Sequence, residues 1–510
     1  MTSYVKTVCF SGIEALEVDV QVQVSKGGLP CFNIVGLANK SVDESKERIR
    51  AALADSGMAF PNRRITVNLA PANIVKEGSH FDLPIAVGIL CEIGVLSQSE
   101  IADYLFAGEL GLDGSLAGTP GILPAAIKAN HLELGFVCPA CQGGEATWSG
   151  NPHIVAVSDI VSLVNCLKHP GNINPPSAVK KREDFSYIDF RDIKGQVAAK
   201  RAAEIAAAGG HNMLMIGPPG CGKSMLAEAM NGILPPMTSE EILEVSQIYS
   251  VAGLIKDGNL ISKRQYRKPH HSTTAAGMIG SASSSGRARP GEVSFAHNGV
   301  LFLDELPEFP RAALEALRLP LETGQVLIAR ANSHISYPAK FQLVVAMNPC
   351  RCGYLGKEGF ECSRAPKCGE EYMAKISGPF LDRIDIHIEM QAVPVSRMMA
   401  SADKNVEDSA TVAQRVQRAW EMQANRYKDM PKHKNSEIDG TLLEKYVALD
   451  DASKALMADA ASKFAFSARA YHRVLRVART IADVDGAETV TRNHIFEALS
   501  YRRVSCKSRF

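Results

Sequence analysis

The sequence has no excess of charge: 56 Lys and Arg stand against 55 Asp and Glu, for a formal net charge of +1. That excludes a general basic field for gripping a polyanion. Contact with nucleic acid would need a local patch, or one face repeated around an assembly. There is no apolar run of membrane-spanning length, which excludes a helical transmembrane segment. The first residues, Met1 to Lys6, lack the apolar core of a secretory signal, so a cytoplasmic protein with no membrane partner is expected. The 12 cysteines are scattered apart from one cluster, which suits a reducing compartment and excludes a disulfide scaffold. What is present is an ordinary globular composition, 46% hydrophobic and 22% charged, in a chain long enough for about three domains.

The most informative stretch runs from Asn212. Met213 to Ile216 is a short apolar run that reads as a buried strand, and Met225 to Met230 reads as a helix. Between them Gly217, Pro218, Pro219, Gly220, Cys221, Gly222, Lys223 and Ser224 fit G-x-x-x-x-G-K-[ST], the strand–loop–helix context of a phosphate-binding loop. Glycines let backbone N–H groups turn toward phosphate oxygens, and the helix N-terminus adds partial positive charge there. Lys223 is expected to reach the β- and γ-phosphates of ATP, and Ser224 to ligate Mg²⁺.

A second apolar strand, Val300 to Leu303, ends in Asp304 and Glu305. Carboxylates at the C-terminal end of a buried parallel strand sit where such sheets place ligands. Asp304 can hold the Mg²⁺ shell, and Glu305 can polarise the attacking water as general base. A third strand, Phe341 to Met347, leads to Asn348, placed to meet the γ-phosphate or the water. Ile193 and Gln196 open an Ala-rich helix before the loop and are candidate adenine contacts, although a surface helix with an ordinary cap fits the spacing as well.

Residues 1–170 read as an α/β unit, with strands at Leu16–Val24 and Ile65–Leu69 and helices at Ser41–Ser56, Asp82–Ile93 and Pro120–Ala129. Val67-Asn-Leu-Ala, Lys76 to Ala86, Gly108 to Gly114 and Pro120 to Ala126 resemble the proteolytic domain of Lon, which has the ribosomal-protein-like domain 2 fold. Active members use a Ser–Lys dyad. The serine position falls on His80 and the lysine position on Leu123, with Ser79 one place off and Lys128 more than a turn late. The resemblance therefore implies a non-catalytic domain. Cys138 and Cys141 form a lone C-x-x-C, read as ordinary thiols. Residues 171–184 hold an Asn/Pro-rich piece and a charge run, and read as a linker.

Beyond the nucleotide motifs, Pro269-His-His-Ser, Arg289 to Phe309 and Ser467 to Ala482 resemble the magnesium-chelatase-like AAA+ family, and within it the ComM/YifB-type proteins. The resemblance covers nearly the whole chain. It implies an AAA+ P-loop α/β core over 185–395, a linker over 396–411, and a C-terminal α-helical lid over 412–510. It also implies self-association into a hexameric ring, with Arg383 in Leu381-Asp-Arg-Ile-Asp acting as arginine finger on the neighbour's ATP. Arg469 is the implied sensor-2 arginine, with Arg473 as alternative, and Arg476 and Arg479 are expected on a solvated face.

The long interval between Lys223 and Asp304 holds the basic run Lys263 to Lys268 and a Gly/Ser stretch beside Arg287 and Arg289. Gln325 to Ala339 reads as a hairpin with Arg330 and His334 near its tip. The resemblance places both as pore-facing inserts, so Arg287, Arg289, Arg330 and His334 are candidate phosphate contacts. A hairpin that only packs on its neighbour stays open. Cys350, Cys352, Cys362 and Cys368 could bind Zn²⁺ tetrahedrally or remain free thiols. The reading that results is an ATP-driven, Mg²⁺-dependent ring motor on single-stranded or branched DNA, a branch-migration helicase in recombination of incoming DNA. The alternative is a metal-insertion motor acting on a partner protein. The missing dyad disfavours an ATP-dependent protease.

Overall fold

The computed structural model describes residues 2–25, 27, 29–169, 176, 187–282, 288–329, 334–355, 364–394, 407–430, 434–464 and 466–502. Alternating burial builds the first sheet. Strands β1 (Thr2–Ser11), β2 (Glu14–Val24), β3 (Cys31–Val35), β4 (Arg64–Ala70), β5 (Tyr104–Phe106), β6 (Gly135–Pro139) and β7 (Ile154–Val157) lie in the order β3-β4-β2-β1-β5-β6-β7. The β1–β2 and β2–β4 pairs are antiparallel, and the rest are parallel. The helix expected over Ser41–Ser56 is two pieces, α1 (Lys40–Asp43) and α2 (Ser45–Asp55). Asn39 caps it: the Asn39 side chain accepts from the Val42 N–H at 3.2 Å, which starts the first turn one residue early. Helix α3 (Asp82–Glu92) is buried along nearly its whole length against β1 and β2, as its unbroken apolar sequence dictates. Helix α4 (Ile122–His131) starts two residues later than expected, because Gly121 adopts φ 93° just before it.

The second sheet is wholly parallel. Strands β8 (Met213–Ile216), β9 (Tyr266–Arg267), β10 (Val300–Leu303), β11 (Gln325–Ala329), β12 (His334–Pro338), β13 (Gln342–Met347) and β14 (Ile386–Glu389) follow in the chain. Five of them form the order β9-β10-β13-β8-β14, while β11 and β12 pair as a separate antiparallel hairpin. Strands β8, β10 and β13 are buried throughout, which is why they read as continuous apolar runs. The switch point lies at β8, between β13 and β14, and the loop after β8 opens there.

Helix α5 (Val197–Gly209) precedes β8, helix α6 (Lys223–Gly232) follows it, and α7 (Ser239–Val251) begins with a Thr238–Glu241 capping box. The expected start of α5 at Ile193 is not observed. Gly195 and Gln196 take positive φ, 68° and 56°, and keep 193–196 outside the helix. Helix α8 (Arg318–Thr323) leads into β11. The C-terminal part is helical, with α9 (Ser409–Arg426), α10 (Gly440–Tyr446), α11 (Asp451–Phe464), α12 (Ala468–Val484) and α13 (Arg492–Ser500). Ser467 caps α12, accepting from the Ala470 N–H at 3.3 Å. No helix among the described residues is long and apolar enough to cross a membrane.

The two sheets are joined by a polar seam. At the α4 start, the Gly121 N–H donates to the Ser250 carbonyl of α7 at 2.9 Å. The Leu123 N–H donates to Ser250 Oγ at 3.2 Å, and Ser250 Oγ donates to buried Glu145 at 2.6 Å. Trp148 Nε1 donates to the Gly258 carbonyl at 3.1 Å. At the other end Gly12 lies so close to the β12 backbone that an added Cβ would sit 2.3 Å from the Ser336 carbonyl oxygen.

Candidate nucleotide site

The phosphate-binding loop joins the C-terminal end of β8 to α6. Gly220 and Gly222 have φ of 75° and 92°, values that a side chain would strain, and this turns the loop tightly into the helix N-terminus. Lys223 Nζ donates to the carbonyls of Gly217 at 2.7 Å and Pro218 at 3.0 Å, and to Asn348 Oδ1 at 3.1 Å. The ammonium expected from one strand end and the amide expected from another are thus in contact. Ser224 Oγ donates to Asp304 Oδ2 at 2.9 Å. Hydroxyl and carboxylate are hard oxygen donors, the set that Mg²⁺ prefers. Lys268 Nζ stands 3.2 Å from the same Asp304 oxygen, so this point already attracts a cation. The residues present fit Mg²⁺: Ser224 and Asp304 would hold it, and it would supply charge neutralisation for a bound triphosphate.

Glu305 is exposed beside this pair at φ 52°, an uncommon conformation for a non-glycine residue and one that collects at functional sites. His271 Nδ1 lies 3.8 Å from the Glu305 carboxylate. Gln196 Nε2 donates to the carbonyls of Cys221 at 3.1 Å and Gln391 at 2.6 Å, and so ties the segment before α5 to the phosphate loop. Ile193 is buried in the core.

The arginines are placed elsewhere. Arg383 is folded back on its own subunit: Nη1 donates to the Pro379 carbonyl at 2.7 Å and Nη2 to Glu322 at 2.9 Å. Arg469 is exposed at the start of α12, 3.7 Å from the other oxygen of Glu322. Arg473, the alternative sensor, is buried with its Nε 3.6 Å from Asp385. Burial raises the Asp385 carboxyl, but the His211 hydrogen bond and the charges of Arg473 and Arg476 outweigh it and hold it below the usual range. The solvated face expected around Arg479 is corrected. Arg479 is almost wholly buried, donating to Asp483 at 2.9 Å and to the carbonyls of Ala487 and Glu488, so it closes the end of α12.

Three family profiles match the chain: magnesium chelatase, subunit ChlI, over residues 189–398; subunit ChlI of Mg-chelatase over 20–142; and the ChlI C-terminal part over 406–502. The protein YifB of Salmonella typhimurium is 39% identical over 493 residues, covering 97% of this chain and 95% of its own. The competence protein ComM of Haemophilus influenzae is 38% identical over 496 residues, 96% of this chain and 95% of its own. The protein Rv2897c of Mycobacterium tuberculosis is 35% identical over 503 residues, 98% of both. The chain belongs to the ComM/YifB-type magnesium-chelatase-like family.

In this ComM/YifB-type chain the basic run Lys263–Lys268 is not a free surface. Arg264 is buried, donating to the Pro235 carbonyl at 2.7 Å, to that of Asn298 at 2.6 Å and to Glu241 at 2.9 Å. Arg267 pairs with Glu292 at 2.8 Å, and Lys268 with Asp304. Arg289 is exposed on a short strand, Ala288–Pro290. Arg287 and Arg330 lie outside the described residues, and for His334 the backbone alone is described, opening β12.

Of the cysteine cluster, Cys350 is buried with its Sγ 3.0 Å from that of exposed Cys352, while Cys362 lies outside the described residues. Among the described residues no group of three or more His, Cys, Asp or Glu could hold a metal. The described part of the cluster forms no such group. Its loop instead backs the phosphate loop: a Cβ on Gly353 would lie 2.6 Å from Pro219.

Sequence motifs found the loop, both carboxylates and Asn348. They assigned no role to Lys268 or His271, although Pro269-His-His-Ser signals the segment, and nothing local pointed to Glu322.

Proposed function

We propose that the chain is an ATP-driven ring motor acting on DNA, with Lys223, Ser224, Asp304, Glu305 and Asn348 of one subunit facing Arg383 of the next, and Arg469 serving as the sensor-2 arginine. The observation that carries it is the convergence of Lys223 on Asn348 at 3.1 Å and of Ser224 on Asp304 at 2.9 Å at one sheet edge. A phosphate cradle, a cation site and a carboxylate at the attacking side suit hydrolysis of a nucleoside triphosphate. Lys223 neutralises developing phosphate charge, Asn348 orients the γ-phosphate or the water, and Glu305 takes the water's proton.

The DNA reading draws on similarity to a relative named as a competence protein. It takes the site to be cytoplasmic, the ring hexameric, and Arg287, Arg289, Arg330 and His334 to be phosphate contacts around the pore. Residues 1–170 serve it as a non-catalytic Lon-like domain, 185–395 as AAA+ core and 412–510 as lid, with linkers at 171–184 and 396–411. Zinc at the four cysteines is a subsidiary proposal, tested by metal analysis of the chelator-washed chain. The second reading, a metal-insertion motor, has in its favour that the three matched profiles carry the chelatase name. Measuring ATP hydrolysis with and without single-stranded and branched DNA separates them. DNA-stimulated turnover is expected. Turnover indifferent to DNA, with no DNA binding at low salt, would favour the second reading.

A further inference from the structure

Glu322 is the meeting point of Arg383, which the nucleotide reading needs in trans, and Arg469, the implied sensor-2 arginine, and no motif marked it. It lies in the last turn of α8, in the core, while Arg469 belongs to the helical C-terminal part. One carboxylate oxygen accepts from Arg383 Nη2 at 2.9 Å, and the other faces Arg469 Nη2 at 3.7 Å. The Arg383 hydrogen bond and charge, with the Arg469 charge, hold Glu322 below the usual carboxylate range.

Two facts show that this arrangement is provisional for Arg383. Its side chain is only 13% exposed, yet Nε has no hydrogen-bond partner. A buried N–H of a guanidinium normally finds an acceptor, so the subunit alone leaves the group incompletely satisfied. The restraining partner is the weak kind: Glu322 is 54% exposed, and ion pairs open to water hold loosely. A phosphate group carries more charge than one carboxylate and suits the planar fork of an arginine.

We propose that Glu322 is the holding residue for Arg383: it keeps Arg383 paired inside its own subunit and yields it to the γ-phosphate bound by a second copy of the chain. This rests on the reading that Arg383 acts on a neighbour's nucleotide. The holding contact competes with subunit engagement, so its removal favours association. The Arg469 contact of the same carboxylate joins the helical C-terminal part to the core.

The test uses the full chain as wild type, Glu322→Gln, which keeps shape and loses charge, and Glu322→Asp, which keeps charge. ATP hydrolysis is followed against protein concentration, and association is followed by sedimentation with a slowly hydrolysed ATP analogue. The expected result is a half-maximal concentration at least threefold lower for Glu322→Gln in both assays, with Glu322→Asp close to wild type. By sedimentation the gain should vanish when Arg383→Ala is added, since the two residues then no longer couple. An unchanged or higher half-maximal concentration for Glu322→Gln overturns the inference, as does a gain that survives Arg383→Ala. A wild-type chain that neither associates nor hydrolyses ATP overturns the ring-motor reading, and the inference with it.

Discussion

The two sheets of this chain handle polar groups at their working edges in opposite ways. At the C-terminal edge of the parallel sheet, Lys223, Ser224, Asp304 and Asn348 meet one another around an open loop, and Glu305 is exposed beside them. In the N-terminal sheet the corresponding chemistry is closed. Ser79 donates to Glu109 rather than facing a lysine, His80 is buried with Nε2 2.8 Å from the Val8 carbonyl, and Leu123 is fully buried. The start of α4, where a dyad lysine would stand, is covered by α7 of the other sheet through Ser250. A Ser–Lys pair needs the two side chains together, whereas here Ser79 meets a carboxylate and His80 and Leu123 are buried. The polar groups on this side bind the two sheets together.

The largest effects should come from breaking the open edge. Lys223→Ala is expected to abolish measurable nucleotide binding. Glu305→Gln should keep binding and lower turnover by about 10²–10⁴-fold, the usual worth of a positioned base. Equilibrium binding of a fluorescent ATP analogue beside steady-state turnover checks both. Near-normal turnover by Glu305→Gln would remove the general base from the open edge.

Next comes the arginine. Arg383→Ala should lower turnover by on the order of 10³-fold, within the range found for trans arginines. Mixed with Glu305→Gln subunits it should regain part of the activity, because some interfaces then join an intact arginine to an intact base. No recovery in rings shown to be mixed would place Arg383 in cis.

How much of this could be read from sequence differs by site for physical reasons. Strand β8 was legible to the residue, because a four-residue apolar run between a polar residue and Gly217 has few other uses. The Asp304–Glu305 end was legible once that loop was known. The start of α5 was not, because Gln196 takes a left-handed conformation rare outside glycine. The arginines of α12 were legible only as charges. Arg473 and Arg479 are buried because Asp385 and Asp483 reach them, the first of these from the distant β14 end. The basic run that spans β9 misled for the same reason, since its partners Glu241 and Glu292 lie on other elements.

A smaller effect tests whether the closed sheet is a support. Ser250→Ala removes one donor to Glu145 and one of the two acceptors of the Leu123 N–H, which keeps Glu145 at 3.2 Å. Losing a buried side-chain hydrogen bond costs about 0.5–1.5 kcal/mol. The thermal midpoint should fall while turnover per folded subunit at 25 °C stays within about twofold, well under the tenfold that 1.4 kcal/mol in the barrier would produce. A loss of turnover without a loss of stability would show that the seam transmits more than it supports.

The smallest effect is a pH dependence in the same seam. Burial pushes the Glu145 carboxyl above its ordinary value, and the hydrogen bonds from Ser250, Leu123 and Gln142 offset this only in part. The folded state therefore holds the proton more tightly than the unfolded state does. Its contribution to stability is fully present below the unfolded value, 4.5, and is lost as pH rises through the raised folded value. Other carboxylates drive the overall acid response the opposite way, so the wild type alone cannot show the effect. Glu145→Gln supplies the reference, since it removes this titration and little else. The midpoint of the wild type minus that of Glu145→Gln should grow as pH falls from 8 to 5. A difference that is flat or shrinks would mean that the three donors win over burial, and that the seam is held by a charged carboxylate.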